Sequence, residues 1–248
     1  MEPIRISKYF TDCGVMSRRA ADAAVEAGEV KINGETAVLG QKVTPGVDKV
    51  TWRGKPVVMP KGHQKVYVML NKPRGYVTTM SDDKGRHTVA ELVRDVGTRL
   101  YPIGRLDMDS DGLLLLTNDG DLAHRLAHPS HVVQKVYYAY VDGNVTTEQL
   151  TGMCRPIEID GRMTAPASVR KAGFTEYHTV LEVTIHDGRN RQVRRLCERE
   201  GLVVRKLTRV SEGLLTLGNL DEGKWRHLTP KELRLLGCKT CKPTKSST

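Results

Sequence analysis

An acidic loop carries the strongest candidates for chemistry in this sequence. Asp107, Asp109 and Asp111 alternate along it, and Gly112 follows them. Calcium-binding loops of the EF-hand type begin with this pattern, but they also need a bidentate Glu at the twelfth position. The twelfth residue here is Asn118, and the segment Leu-Tyr-Pro-Ile-Gly before the loop is a poor incoming helix. We therefore predict no metal at this loop.

Two interpretations of the loop remain. Arg105 stands two residues before Asp107, and in extended backbone the side chains at i and i+2 share a face. Arg105 could then pair with a carboxylate or a phosphate while Asp107 projects into a cleft. Alternatively, the loop is a solvated acidic turn. The loop by itself does not decide between them.

An arginine-rich segment is the second candidate site. Residues 190–200 are predicted to form a helix that ends at Gly201. One face of this helix would carry Arg191, Arg194 and Arg195, and the other would carry Val193, Leu196 and Cys197. Arginine suits bidentate contact with phosphate or carboxylate. An ordinary solvated face is the alternative, but such faces usually mix charge signs, and no acidic residue interrupts the four arginines between 189 and 195. We therefore favour a binding role.

Two further patterns carry weaker indications. Tyr137 and Tyr138 fall on opposite faces of a predicted strand over 135–141, so one ring could stack on a base, although core packing could explain both. Cys238 and Cys241 form a C-x-x-C pair. A structural zinc site would need a second pair of ligands at suitable spacing, so we interpret these residues as thiols of the tail.

Composition narrows the class of protein. The 248 residues include 39 Lys and Arg against 29 Asp and Glu, a net charge of +10 that fits a polyanionic partner. No apolar run approaches the roughly 18 residues of a membrane helix. The N-terminus lacks the apolar segment of a secretory signal, and the five scattered cysteines are typical of reduced cytoplasmic thiols. We expect a cytoplasmic protein without a membrane partner.

The chain is predicted to form two domains of the α+β class. Residues 1–59 form a small helix-helix-β module, with helices at 6–12 and after Ser17 and a strand from Val30 that turns at Asn33-Gly34. Residues 59–64 are linker-like. Residues 65–238 mix strands and helices without regular βαβ units, which favours a mixed or antiparallel sheet. The polar segment 239–248 is predicted to be a disordered tail.

These segments together resemble the pseudouridine synthases of the ribosomal small-subunit and large-subunit type, the group with one appended S4 RNA-binding domain. The matching motifs, in family order, are Arg5 through Gly34 (the S4 pattern), Asn71-Lys-Pro-Arg-Gly75, Gly104–Gly120, Lys135–Tyr137 and Gly188–Leu196. The chain departs from the family at Ser110-Asp111, where many members carry two hydroxyl residues. The resemblance covers nearly the whole chain, as far as Gly237.

The resemblance implies an isomerase that converts uridine to pseudouridine within ribosomal RNA or a pre-ribosomal particle. Asp107 would be the essential carboxylate, either a nucleophile or a base. Tyr137 would stack on the base, Arg194 would pair with Asp107, and Arg105 would lie near the extruded nucleotide. Candidate RNA contacts are Arg5, Lys8, Ser17, Arg18, Arg19, Lys72, Arg189, Arg191 and Arg195. The reaction adds and removes nothing overall, so no cofactor is implied.

Three alternatives stay open on the sequence. The motif Arg-Asn-Arg-Gln followed by Arg194 favours large-subunit over small-subunit rRNA as the target. A non-catalytic S4-type RNA-binding or ribosome-assembly protein would share the basic segments but would not need Asp107 beside an arginine helix. A metal-dependent phosphodiesterase using the three aspartates would lose activity with a chelator. We expect pseudouridine synthesis in large-subunit rRNA, carried out by a monomer.

Overall fold

The computed structural model describes residues 2–60, 64–127 and 133–237. The chain divides between Lys65 and Val66 into two compact units. The predicted tail 239–248, the Cys238/Cys241 pair and part of the predicted linker lie outside the described residues. No helix in the described ranges is both long enough and apolar enough to cross a membrane.

The first unit packs two short helices against small antiparallel sheets. Its elements are β1 (Ile4–Arg5), α1 (Ile6–Asp12), α2 (Arg18–Glu26), β2 (Val30–Ile32), β3 (Glu35–Thr36), β4 (Lys42–Val43), β5 (Val50–Trp52) and β6 (Lys55–Val57). The predicted α1 and α2 are confirmed. The Ser17 side chain accepts the Ala20 amide at the start of α2, and Gly28 follows its end with φ +71°. Apolar faces of both helices and of β2 and β5 form one core.

The second unit is built on one mixed sheet. Its strands are β7 (Tyr67–Lys72), β8 (Tyr101–Ile103), β9 (Asp111–Thr117), β10 (Lys135–Asp142), β11 (Glu158–Ile159), β12 (Arg162–Met163), β13 (Ser168–Phe174), β14 (His178–Ile185), β15 (Val204–Glu212), β16 (Leu215–Thr216) and β17 (Trp225–His227). Its helices are α3 (Val89–Leu92), α4 (Gly120–Ala127), α5 (Thr147–Met153), α6 (Gln192–Arg199) and α7 (Pro230–Leu235), with a 3₁₀ turn at Arg94–Val96. The sheet order is β13-β14-β10-β15-β9-β7-β17, with β8 beside β9 and β16 beside β15. Since β9 and β15 are parallel while the other described pairs are antiparallel, the predicted mixed sheet is confirmed.

Side chains cover the sheet on both faces. Along β9, Leu114 and Leu116 join one core with residues of α6, while Leu113 and Leu115 join another with residues of α4 and α7. All seven residues of β9 are buried. This double burial explains the continuous apolar run in the sequence, because a strand covered on both faces has no polar side. The central strand therefore holds the loop before it, residues 104–110, in a rigid frame.

The junction of β9 with β15 depends on one glycine. Gly112 pairs with Arg209 and adopts φ +108°, a conformation that favours glycine. A Cβ at this position would overlap the backbone of Arg209. The acidic loop therefore enters the sheet only because residue 112 has no side chain.

Candidate active site

Residues around Asp107 are fixed to the neighbouring chain by hydrogen bonds. The Thr78 hydroxyl donates to the Leu106 carbonyl (2.6 Å) and accepts the Leu106 amide (3.2 Å). The Gly75 amide donates to the Met108 carbonyl (2.7 Å), and the Ser110 amide donates to the Asp107 carbonyl (3.1 Å). Backbone on both sides of Asp107 is therefore tied down, and the interpretation as a loose solvated turn is wrong.

Lys72 is part of this support and not an RNA contact. Its side chain is fully buried, and its ammonium donates to the carbonyls of Pro73 (3.0 Å), Asp107 (3.0 Å) and Ser110 (2.8 Å). Burial lowers the Lys72 pKa from 10.5 to about 8, against the pull of the Asp111 and Asp107 carboxylates. Because all three N–H groups already have acceptors inside the protein, the prediction that Lys72 binds RNA is wrong.

A cavity of about 480 Å³ opens beside this loop. It is lined by residues 77–78, 104–108, 110, 137, 185, 188–193 and 207. The structure thus brings Arg105, Asp107, Tyr137, Arg189 and Arg191 to one place, although their sequence positions span almost ninety residues. The Asp107 side chain is 35% exposed, so a ligand in the cavity can reach it. The lining formed by the described residues does not include Arg194 or Arg195.

The arginine segment differs from the predicted continuous helix. Helix α6 begins at Gln192, and Arg191 precedes it in a left-handed conformation with φ +52°. The buried Gln192 side chain accepts the Arg189 amide (3.0 Å), which closes a tight turn over 189–192. The prediction that Arg191 shares the helix face of Arg194 and Arg195 is therefore wrong. The turn instead places Arg191 and Arg189 at the cavity.

Asp109, rather than Asp107, is the main partner of the arginines. Arg191 contacts both carboxylate oxygens of Asp109 (3.0 and 2.9 Å). Arg194 lies 3.3 Å from Asp109 Oδ2 and donates to the Asp109 carbonyl (2.9 Å). The expected pairing of Arg194 with Asp107 is thus corrected, and the arginine nearest to Asp107 is Arg191, at 3.9 Å. Burial raises the pKa of Asp109, but these guanidinium groups outweigh it and leave the pKa below its ordinary value.

Asp111, the residue that departs from the family pattern, does not face the cavity. It is buried where β9 meets β15, and its Oδ2 lies 3.8 Å from Lys206 Nζ. Burial raises its pKa, against the opposing effects of the Thr208 hydroxyl and Lys206. Asp109 and Asp111 therefore face different cations, and no metal-binding group of three or more His, Cys, Asp or Glu occurs in the described ranges.

Tyr137 lies on the cavity wall and backs onto a charge pair that the sequence did not reveal. The tyrosine is 7% exposed, and burial raises its pKa. Directly opposite in the sheet is Arg209, which donates through Nε to the Leu113 carbonyl (2.7 Å) and lies 3.3 Å from Glu212. Tyr138, on the other face of β10, is partly exposed. In the sequence, the one indication of the pair formed by Arg209 and Glu212 was the presence of charged residues within the strand 204–212.

The RNA-binding candidates of the first unit lie around the start of its helices. Arg5, Ser17, Arg18 and Arg19 are exposed. Lys8 is partly buried and forms an ion pair with Asp12 (3.2 Å), while Ser17 caps α2. Three exposed arginines are therefore presented to solvent, whereas Lys8 and Ser17 also have structural roles.

Comparison with known proteins agrees with this geometry. Residues 66–199 match the RNA pseudouridylate synthase family. The chain is 41% identical to the ribosomal large subunit pseudouridine synthase B of Bacillus subtilis, over 94% of this chain and 95% of that protein. It is 42% identical to an uncharacterized RNA pseudouridine synthase of Aquifex aeolicus, over 95% and 94%. It is 38% identical to the dual-specificity RNA pseudouridine synthase RluF of Escherichia coli, over 93% and 77%.

A solved structure leads to the same family. A crystal structure of a pseudouridylate synthase superposes with a TM-score of 0.65 and 30% identity, covering 94% of this chain and 99% of that one. Identity above 40% over almost the full length of both chains, joined to a family match that contains all of the cavity residues except Leu207, confirms the resemblance to pseudouridine synthases. The chain belongs to the RNA pseudouridylate synthase family, whose members are isomerases.

Proposed function

We propose that this protein converts a uridine of large-subunit ribosomal RNA to pseudouridine, with Asp107 as the catalytic carboxylate. One observation supports this most: Asp107 and Tyr137 line the same cavity, beside three arginines. The name of the Bacillus subtilis relative favours the large subunit as the source of the substrate. The protein would act as a monomer in the cytoplasm.

The size of the cavity fits a single nucleotide rather than a helix of RNA. Its volume of about 480 Å³ lies in the range of small-molecule sites. A uridine stacked within folded RNA must therefore leave the stack to react. Stacking on an aromatic ring such as Tyr137 offsets part of this cost, by about 1–3 kcal/mol per base. Arg105, Arg189 and Arg191 would hold the phosphates of the extruded nucleotide.

The reaction breaks the bond from N1 of uracil to C1′ of the ribose, turns the base, and joins C5 to C1′. The proton on C5 is lost and N1 gains one, so the overall balance is an isomerisation. Asp107 can attack C1′ as a nucleophile or remove a proton that labilises the sugar. Asp109 binds Arg191 and Arg194 and keeps them from fully neutralising Asp107. The Asp107 side chain is thus left to face the ligand in the cavity.

Further contacts, some at the cavity and others outside it, would bind the RNA backbone. In the first unit, which we propose to be an S4 domain, the candidates are Arg5, Lys8, Ser17, Arg18 and Arg19. In the second unit they are Arg189, Arg191 and Arg195. Positive groups and a hydroxyl of this kind bind phosphate with little dependence on sequence. They would select RNA in general, and the cavity would select the uridine.

Substitution of Asp107 tests the catalytic assignment. We expect Asp107→Asn to abolish pseudouridine formation on transcribed rRNA fragments while leaving RNA affinity within about threefold, because the amide has similar size but neither attacks nor accepts the proton. Asp83→Asn, which changes an exposed aspartate outside the cavity, serves as the matched control. Product formed by Asp107→Asn at a rate near that of the wild type would overturn the assignment.

Mapping of pseudouridine in cells identifies the substrate. Both ribosomal RNAs would be compared between cells with and without this protein. Loss of one pseudouridine from the large-subunit rRNA is the expected result. Loss from the small-subunit rRNA alone would support the alternative target. No loss from either would favour a non-catalytic RNA-binding or ribosome-assembly protein.

A further inference from the structure

The tight turn over 189–192 presents the Asn190 carboxamide to the cavity. Asn190 is exposed and lines the cavity, and its side chain has no hydrogen-bond partner among the described residues. Two hydrogen bonds close the turn: the Gln192 amide donates to the Arg189 carbonyl (3.1 Å), and the Gln192 side chain accepts the Arg189 amide (3.0 Å). The backbone that carries Asn190 is therefore fixed, while its side chain is free to bind a ligand.

A carboxamide matches the hydrogen-bonding edge of uracil. The N3–H group of the base donates, and the carbonyl oxygens O2 and O4 on either side of it accept. A carboxamide pairs with two adjacent atoms of this edge, because its oxygen accepts and its NH₂ group donates. The three arginines of the cavity lining carry donors only, and the Asp107 carboxylate carries acceptors only. None of these charged groups can form the two hydrogen bonds by itself.

Other uncharged polar side chains of the cavity are buried or already bonded. The Thr78 hydroxyl both donates to and accepts from the backbone of Leu106. Gln192, the other carboxamide of the lining that the structure describes, is 2% exposed, and its oxygen is used within the turn. Ser110 is 1% exposed. Asn190 is therefore the exposed side chain of the described lining that offers a donor and an acceptor together.

The rotation of the base during the reaction preserves this pattern of hydrogen bonds. C5 must take the place of N1, which is a half-turn about the line through N3 and C6. The half-turn leaves N3–H where it was and exchanges O2 with O4. A carboxamide bound to N3–H and to one carbonyl oxygen therefore meets the same two groups before and after the rotation. Cytosine has no N3–H and carries an amino group in place of O4, so it presents this pattern in neither orientation.

We propose that Asn190 selects uracil, by accepting the N3–H of the base and donating to one of its carbonyl oxygens. The inference rests on the proposed function, since it identifies the group that recognises the base in that reaction. Tyr137 stacks on the face of the base, and Asn190 binds its edge. Together they hold the base in the cavity during the step in which no covalent bond joins it to the ribose.

Binding without turnover tests this contact. Two rRNA fragments would differ only at the target nucleotide, uridine or 3-methyluridine, which has no N3–H. We expect Asp107→Asn to bind the uridine fragment about tenfold more tightly, and the double variant Asp107→Asn, Asn190→Ala to bind both fragments equally within about twofold. A purely structural role of Asn190 would weaken both complexes and keep the preference. A tenfold preference in the double variant, or no preference in Asp107→Asn, would overturn the proposal.

Turnover of the uridine fragment provides a second measurement. Asn190→Ala should lower kcat/KM about tenfold, because two hydrogen bonds to the base are lost. Asn219→Ala is the matched control, since Asn219 is an exposed asparagine outside the cavity, and it should change neither turnover nor the preference for uridine. A wild-type kcat/KM for Asn190→Ala would also overturn the proposal. Absence of pseudouridine formation by the wild type would instead refute the proposed function, and the binding comparison would still report on Asn190.

Discussion

At the scale of single residues, Asp107 depends on neighbours that carry charge but do not face the ligand. Lys72 holds the backbone of the loop through the carbonyls of Asp107 and Ser110. Asp109 holds the arginines on the other side. Lys72 and Asp109 act by positioning the loop and the arginines. Changing either residue should therefore lower the rate of the reaction without changing its product.

Asp109→Asn tests this role. The amide cannot accept hydrogen bonds from two guanidinium groups on both of its terminal atoms, so Arg191 is released and can close its 3.9 Å separation from Asp107. We expect kcat to fall about 10- to 100-fold with little change in RNA affinity, because misplaced groups cost rate more than binding. Steady-state kinetics on an rRNA fragment measure this, with Asp83→Asn as the control. A wild-type kcat for Asp109→Asn would contradict the role.

The sequence indicated which residues meet at the cavity better than it indicated their partners. Asp107 and Tyr137 lie in motifs, whereas the partner of Arg194 depends on where the turn at Arg191 points, which is a matter of a few ångströms. Lys72 was misassigned because a lysine at the end of a strand usually reaches solvent. Arg209 escaped notice because its pairing with Tyr137, 72 residues away, depends on the register of β10 and β15.

At the scale of elements, the boundaries follow local chemistry closely. Helix α1 occupies the predicted residues 6–12, and α3 and α7 each begin with a capping box, at Thr88 and Thr229. Helix α6 is the exception, since the first residues of its predicted span form the tight turn over 189–192 instead. Arginine-rich periodicity is equally compatible with a helix and with a turn that leads into one.

The Glu232 carboxylate links helix α7 to β17. The free energy of unfolding should therefore depend on pH. Hydrogen bonds from Arg226 and Thr229 lower the Glu232 pKa from 4.5 to about 2, although burial opposes this. A depressed folded-state pKa stabilises the protein above the unfolded value and ceases to do so as pH falls from 4.5 toward 2. Glu232→Gln should therefore reduce the free energy of unfolding by about 1–3 kcal/mol at neutral pH.

Urea denaturation at several pH values measures this effect. The difference between wild type and Glu232→Gln should shrink steadily below about pH 4.5, the unfolded value. Glu158→Gln, an exposed glutamate on β11, is the control and should change little at any pH. A difference that stays constant down to the acid limit of folding would exclude the ion pair as its cause.

Gly112 lies at the junction of β9 and β15, and we expect that any side chain at this position destabilises the protein. Gly112→Ala combines a positive φ with an overlap against the Arg209 backbone, so we expect a loss of roughly 3 kcal/mol or more in the free energy of unfolding. Gly97→Ala is the matched control, because Gly97 also has a positive φ (+75°) but has open space around its Cβ position. Gly97→Ala should reduce the free energy of unfolding by only about 1–2 kcal/mol. Equal losses for the two variants would show that packing at the junction is unimportant.

At the scale of the whole molecule, the excess of positive charge should govern RNA affinity while the cavity governs turnover. The net charge is +10, and exposed arginines occur on both compact units. Phosphate contacts release bound counterions, so affinity should fall steeply with salt concentration. Since the chemistry lies in the second unit, removing charge from the first should change binding without changing the chemical step.

Arg18→Gln combined with Arg19→Gln tests this division. Each lost phosphate contact should reduce the slope of log affinity against log salt by about 0.7–0.9, depending on whether the contacted RNA is single- or double-stranded. The single-turnover rate at saturating RNA should match the wild type. Arg170→Gln is the control, because its charge is already paired with Glu182. An unchanged salt slope would place the phosphate contacts elsewhere, whereas a reduced rate at saturation would mean that the first unit also shapes the reacting complex.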